Sequence, residues 1–392
     1  MADLTPDIRY ILEREELDHL VQAVKEKGYQ VVGPTLRDSA IVYDEVSSTS
    51  EFPAGWTDEQ EGGSYRLVRR GDAALFGYAA GPHAWKRYLH PEMIRLWSAV
   101  RSGADFQLEV NASTPPKLAL FGIRSCDLHA IFILDTVFQG GKIVDPAYAA
   151  RRQNLIIIAV QCAEPGKTCF CASMNTGPES AGGFDLALTE VLKSDRHYFV
   201  LQVGSRTGAE LMAVVPHRAA SGEECAQAEL QARAAVARMS RSMNTTGIKN
   251  LLYASYEHPR WNETADRCFG CANCTMVCPT CFCSTVEDVT SLTTAKAERW
   301  RRWDSCFTVD FSYIHGGSVR SSRKARYRQW ITHKLASWID QFGTSGCVGC
   351  GRCITWCPAG IDITEEIAAI RIATPNDTDS DLPREQSNGH DS

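Results

Sequence analysis

An α+β chain is expected here: an N-terminal α/β domain with a parallel-strand core, then a helical C-terminal domain carrying a short internal repeat. Three observations point to it. Apolar runs at 117–123 and 155–160 bracket a segment with helical apolar spacing at 128–138. Strand, helix, strand in that order implies a parallel pair with a right-handed crossover. The run 155–160 is apolar throughout, the pattern of a strand buried on both faces. Past 221 the chain turns Ala-, Arg- and Gln-rich and then cysteine-rich, and residues 267–279 recur in altered form at 346–358.

The remaining elements follow from spacing. Ile11, Leu12, Leu17, Leu20, Val21 and Val24 predict a helix over 7–26. Strands are expected at 29–32 and 40–46 around a Gly33-Pro34 turn signal, and a loop at 55–63. The stretch 82–100 is aromatic-rich, with Trp85, Tyr88 and Trp97. A helix is expected at 185–192 and a strand at 197–203. Residues 223–243 contain no Gly or Pro and predict one long helix, while 374–392 has the composition of a disordered tail. The expected division is an α/β domain (1–220), a helical connector (221–262), a repeat-bearing domain (263–373) with an insertion at 279–346, and the tail.

Composition limits the function. The 392 residues are 44% apolar and 22% charged, enough for a sizeable core and for two or three domains. A net charge of −6, from 41 basic and 47 acidic residues, argues against a nucleic-acid partner. The longest apolar run falls far short of the roughly 20 residues that span a membrane. Acidic residues Asp3, Asp7, Glu13, Glu15 and Glu16, with no apolar stretch, do not make a secretory signal. A cytoplasmic location is expected. No dinucleotide or P-loop glycine pattern, nucleophile elbow or H-E-x-x-H occurs, so no catalytic residue and no nucleotide site is assigned.

Sixteen cysteines dominate the chemistry. In a cytosolic chain, clustered cysteines point to metal or redox chemistry before disulfides. Cys268, Cys271, Cys274 and Cys278, followed by Pro279, repeat as Cys347, Cys350, Cys353 and Cys357, followed by Pro358. Both copies read C-x2-C-x2-C-x3-C-P, the pattern of two-cluster bacterial ferredoxins. Three thiols two residues apart let a tight loop wrap one face of a cubane. The fourth lies too far round the loop and reaches the other cluster. One [4Fe-4S] cluster is therefore assigned to Cys268, Cys271, Cys274 and Cys357, and a second to Cys347, Cys350, Cys353 and Cys278. Zinc is the weighed alternative; it takes four tetrahedral ligands, usually from two C-x2-C knuckles, and suits this run poorly. Cys274, Cys278 and Cys281 also match a radical-enzyme spacing, but two of them already serve the repeat and no barrel pattern follows. Gly270 and Gly349 permit tight loops whose N–H groups face sulfur.

Weaker groups lie outside the repeat. Cys126 and Cys162 each follow an apolar strand, and Cys169 and Cys171 come shortly after Cys162. If the strands are parallel, both ends lie on the sheet edge where ligands bind. A third [4Fe-4S] cluster on Cys126, Cys162, Cys169 and Cys171 is the favoured reading, against buried unligated thiols. Asp127 and His129 are candidates to support it. Cys281, Cys283 and Cys306 are one thiol short of a closed site, and their role stays open; Cys225 reads as structural. The insertion 279–346 carries ten Lys or Arg against six Asp or Glu. Its run Arg320–Arg328 reads equally as a solvated helix face and as cations that raise a cluster's potential or dock an acidic partner.

Four segments carry a resemblance: Phe121-Gly122-Ile123-Arg124-Ser125-Cys126-Asp127-Leu128-His129-Ala130-Ile131, Cys169-Phe170-Cys171, Cys278-Pro279-Thr280-Cys281-Phe282-Cys283 and Trp303-Asp304-Ser305-Cys306. With the repeat, they resemble the dicluster iron–sulfur (beta) subunit of cytosolic NAD(P)-linked [NiFe] hydrogenases, or sulfhydrogenases, over residues 35–369. The corresponding iron–sulfur component of anaerobic sulfite reductase is a close relative that shares these motifs. The resemblance implies a non-catalytic electron-transfer subunit in a hetero-oligomer. Its partners would be the large and small hydrogenase subunits, together with a flavin subunit that reacts with NAD(P). A scaffold protein with structural clusters, and a reductase with a flavin site of its own, are the other readings.

Overall fold

The computed structural model describes residues 8–79, 81–110, 114–193, 196–291 and 293–373. The N-terminal part runs through β1 (Arg9–Glu13), α1 (Leu17–Glu26), β2 (Gln30–Arg37), β3 (Ala40–Glu45), β4 (Trp56–Glu61) and β5 (Ser64–Arg69). Then come α2 (Lys86–Leu89), β6 (Met93–Ser102), β7 (Asp105–Val110), β8 (Leu118–Ile123), α3 (Ser125–Gln139), α4 (Pro146–Gln153) and β9 (Leu155–Val160). The strands β10 (Leu186–Lys193) and β11 (Arg196–Val203) lead to α5 (Arg206–Met212), β12 (Arg218–Ala219) and α6 (Gly222–Arg238). The rest holds α7 (Ile248–Ala254), α8 (Arg260–Arg267), α9 (Asn273–Met276), β13 (Ser284–Thr290), β14 (Lys296–Trp303), α10 (Arg323–Thr332), α11 (Trp338–Phe342), α12 (Arg352–Thr355) and α13 (Ile363–Ala373).

Eight strands form the main sheet, in the order β12-β1-β11-β10-β9-β8-β2-β3. Its centre is parallel, β2 beside β8, β8 beside β9 and β9 beside β10. All six residues of β8 are buried, as are Ile156–Val160 of β9, so apolar packing covers both faces. The parallel-strand core expected from the two apolar runs is present, with helices gathered in the C-terminal part.

Four local expectations are corrected. Residues 9–13 form β1, antiparallel to β11, and only Leu17–Glu26 is helical. The apolar residues Ile11 and Leu12 are adjacent and face opposite sides of a sheet, which a strand satisfies and one helix stripe does not. Strand β2 runs through Gly33-Pro34, and the turn falls at Asp38 and Ser39, both left-handed (φ 48° and 59°). Proline is tolerated there because β2 pairs with β8 only over Gln30–Val32, leaving Pro34 no donor to supply on that side. Residues 55–63 are mostly β4 of a hairpin with β5. Residues 186–193 form β10, because six consecutive buried residues between β9 and β11 leave no solvent face for a helix.

The long helix α6 opens with a capping box between Ser221 and Glu224 and ends at Arg238, short of the expected 243. The next residues are drawn off to bond elsewhere. Ser240 Oγ donates to Lys167 O at 2.8 Å, Arg241 pairs with Asp362, and Met243 N donates to Ser173 Oγ at 3.1 Å. The expected tail at 374–392 lies outside the described residues. Strands β13 and β14 of the insertion join β6 and β7 in a second sheet, ordered β13-β14-β6-β7. A separate apolar core around Trp261, Tyr327, Trp330, Ile354, Ile363 and Ile367 holds the C-terminal helices. Among the described residues, no helix is long and apolar enough to cross a membrane.

Candidate metal centres

Helix α8 ends at Arg267, and the loop that follows carries Cys268, Cys271 and, on α9, Cys274. These three and Cys357, from the far copy of the repeat, line one hollow. Phe307, Tyr327, Trp330 and Ile361 close it with apolar surface. Backbone N–H groups face the sulfurs: Gly270 N donates to Cys268 Sγ at 3.3 Å and Ile361 N to Cys357 Sγ at 3.4 Å. Cys271 is exposed and Phe269 is 68% exposed, so this hollow lies near the surface. The basic run divides its work. Arg323 donates to Cys268 O at 3.1 Å, whereas Arg328 stacks on Tyr256 and bonds its carbonyl.

Cys347, Cys350 and Cys353 are brought together with Cys278, whose charge acts on each of the three. A cation that spacing alone did not reveal sits beside them. Lys334, buried, lies in a π-helical turn (His333–Ser337) between α10 and α11. Its Nζ donates to Cys278 Sγ at 3.3 Å, Thr280 Oγ1 at 2.9 Å and Gly346 O at 2.7 Å. A hydrogen bond from Cys281, with Lys334 and Thr280, holds the Cys278 thiol well below its ordinary range against the effect of burial. The only signal in the sequence was a lone lysine among Trp330, Ile331, Leu335, Ala336 and Trp338.

Cys126 at the start of α3, Cys162 just past β9, and Cys169 and Cys171 in the next loop line a further hollow. The parallel β8 and β9 deliver the first two from the same carboxyl-end edge. Arg124 borders the hollow and is held by the carbonyls of Phe76, Tyr78 and Gln161 at 2.7, 3.1 and 3.2 Å. Cys350 stands on its rim. The contact between the two loops is close: Phe170 N donates to Gly349 O at 2.8 Å. Gly349 has φ +63°, and a Cβ there would lie 2.7 Å from the Cys171 nitrogen. Gly349→Ala is therefore expected to part the loops and lower iron bound at both sites; iron content equal to wild type would refute this. Asp127 does not face the hollow's sulfurs alone: it forms a bidentate pair with Arg352 at 2.8 and 2.7 Å. His129 Nδ1 lies 3.0 Å from Ser125 O, a contact within its own helix.

Burial pushes the thiols of Cys126, Cys169, Cys274 and Cys353 well up, so they stay protonated unless positive charge occupies the hollows. Iron supplies that charge, since a coordinating thiol is deprotonated outright. Among the described residues, no three His, Cys, Asp or Glu side chains close on a single point as the ligands of one ion would. Thiols ringing a hollow suit a cluster, in which each sulfur binds a different iron. Cys281, Cys283 and Cys306 gather beside Lys86 and Lys334 without completing a ring of four. Cys225 lies on α6, which packs on β10 and β11.

Residues 267–361 match the family model of a 4Fe-4S dicluster domain. With the thiol-lined hollows, this defines an iron–sulfur protein of the dicluster class. The chain is 30% identical over 378 residues to sulfhydrogenase 2 subunit beta of Pyrococcus furiosus, a match covering 93% of this chain and 99% of that protein. The chain belongs to the sulfhydrogenase beta-subunit family. No solved structure matches it.

Proposed function

We propose that this chain is the electron-transfer subunit of a cytoplasmic, multi-subunit, NAD(P)-linked [NiFe] hydrogenase, with three [4Fe-4S] centres in series. Cys268, Cys271, Cys274 and Cys357 hold the first. Cys347, Cys350, Cys353 and Cys278 hold the second, and Cys126, Cys162, Cys169 and Cys171 the third. The observation that carries this reading is the order of the sites: Cys353 borders the first hollow and Cys350 the third. The second set of thiols thus stands between the other two. Each cluster, when bound, takes up and gives back single electrons at a potential set by charge, burial and hydrogen bonds to sulfur.

The chain's own groups set that environment. Gly270 N, Gly349 N and Ile361 N aim hydrogen bonds at sulfur, Lys334 adds a buried charge at Cys278, and Arg124 adds one beside the third set. Exposed Cys271 marks the side at which electrons reach the series from a partner, and the large, small and flavin subunits of the hydrogenase are the partners proposed.

Iron analysis of anaerobically prepared protein tests the reading. About twelve irons per chain are expected, four to each centre. Cys126→Ser or Cys162→Ser should remove about four of them while the paramagnetic signals of the two ferredoxin-type centres persist. About eight irons in wild type, unchanged in both variants, would reject the third centre, and stoichiometric zinc without iron would reject all three.

A further inference from the structure

Strand β13 begins one residue after Cys283, and β14 ends three residues before Cys306. The ladder between them closes at Ser284 opposite Trp303, and Asp304 N then donates to Cys283 O at 2.9 Å. This brings the Cys283 and Cys306 thiols within hydrogen-bonding reach, with the Cys306 N–H also directed at the Cys283 sulfur. The pair is held rigidly. Ser305 Oγ shares a hydrogen bond of 2.7 Å with Thr275 Oγ1 and accepts one of 3.0 Å from Phe307 N. Lys86, buried, donates to the carbonyls of Thr275 and Cys281 at 3.3 and 3.0 Å and lies over the Trp303 ring at 4.2 Å. These contacts fix the pair against α9, and the charge of Cys274 on that helix acts on Cys306. Unlike Cys278, Cys347 and Cys350, which are buried, Cys283 and Cys306 are both partly exposed. A close pair of thiols, accessible from one side and adjacent to a cluster ligand on the other, has the placement of a relay between one-electron and two-electron chemistry.

We propose that Cys283 and Cys306 form a redox-active dithiol that reduces a small disulfide compound, using electrons that arrive through the centre of Cys268, Cys271, Cys274 and Cys357. The Cys283 thiolate attacks one sulfur of the disulfide. A mixed disulfide forms on Cys283, and the first thiolate leaves and takes a proton from water. Cys306, giving up its proton, attacks the Cys283 sulfur; the second thiolate leaves and is protonated, and a Cys283–Cys306 disulfide remains. The substrate has gained two electrons and two protons. Two single-electron transfers and two protons then break the Cys283–Cys306 bond and restore the dithiol. The Cys283 thiol, pulled down to about 7 chiefly by the hydrogen bond from Cys306, is the attacking group.

The electron source in this scheme rests on the electron-transfer reading above, and the test separates the two. Holoprotein is supplied anaerobically with reduced methyl viologen, and viologen oxidation is followed with glutathione disulfide as the probe. Cys283→Ser and Cys306→Ser should each lower the rate at least about tenfold, while viologen still bleaches the clusters in both. In Cys306→Ser, mass spectrometry should find glutathione trapped on Cys283, a product that a merely structural pair would not give. Undiminished turnover in both variants, or no adduct on Cys283, overturns the proposal and leaves the electron-transfer reading standing. Clusters in wild type that viologen cannot reduce overturn both.

Discussion

Lys334→Met lowers the reduction potential of the centre assigned to Cys347, Cys350, Cys353 and Cys278 by roughly 60 mV or more, a tenfold step in a one-electron equilibrium. The reason is charge placement. The Lys334 ammonium is buried and donates directly to Cys278 Sγ at 3.3 Å. Reduction adds negative charge to the cluster and its thiolates, and a neighbouring cation in a low-dielectric site stabilises the more negative form. Methionine keeps the length and apolar stem of lysine and removes the charge, which limits the change in packing. Redox titration followed by electron paramagnetic resonance reads each centre separately. The centre of Cys268, Cys271, Cys274 and Cys357 serves as an internal reference and should shift far less. Equal shifts in both, or none in either, would show that Lys334 acts through the fold and not on the cluster's charge. Lys334→Arg should keep most of the potential if the wider guanidinium is accommodated.

Asp127→Ala should weaken the whole molecule by about 3–5 kcal/mol, because it leaves the Arg352 guanidinium buried without its carboxylate. Both side chains of the pair are wholly buried, and the two hydrogen bonds between them measure 2.8 and 2.7 Å. Arg352 Nε also donates to Gly81 O at 2.9 Å, so the guanidinium is fastened from two sides and cannot swing out to water. Asp127 follows Cys126, while Arg352 lies between Cys350 and Cys353. One ion pair therefore ties the sheet-edge set of thiols to the ferredoxin-type loop. Anaerobic denaturation followed by cluster absorbance should show an earlier midpoint in Asp127→Ala, together with iron lost from the second and third sets. Asp127→Leu combined with Arg352→Met should recover most of the stability, since an apolar pair carries no desolvation penalty. A midpoint equal to wild type for Asp127→Ala would contradict the argument.

Spacing made several features legible in advance. The two apolar runs announced the parallel strands β8 and β9, because a strand covered on both faces has no polar side to show. The doubled cysteine run announced a dicluster domain, since a cubane needs thiols at short regular intervals on a tight loop. Local patterns failed where a neighbour overrode them. Residues 186–193 read as helix by apolar content alone, yet they lie between β9 and β11 and are buried on both faces. Gly33-Pro34 read as a turn, yet the strand continues because no partner needs the missing N–H. The end of α6 at Arg238 reflects bonds from Ser240, Arg241 and Met243 to distant loops, which a helix propensity cannot register.

What could be read from residue order was chemistry of short range: which thiols belong to one loop, and which stretches alternate or stay apolar. Which loops meet was settled by folding. Gly349 and Cys171 are far apart in the chain, yet only a glycine lets their backbones approach so closely. The partners of Lys334 and Arg352 were likewise invisible in one dimension. A buried charge is tolerable only where distant groups converge to satisfy it, and that convergence is a property of packing, not of sequence spacing.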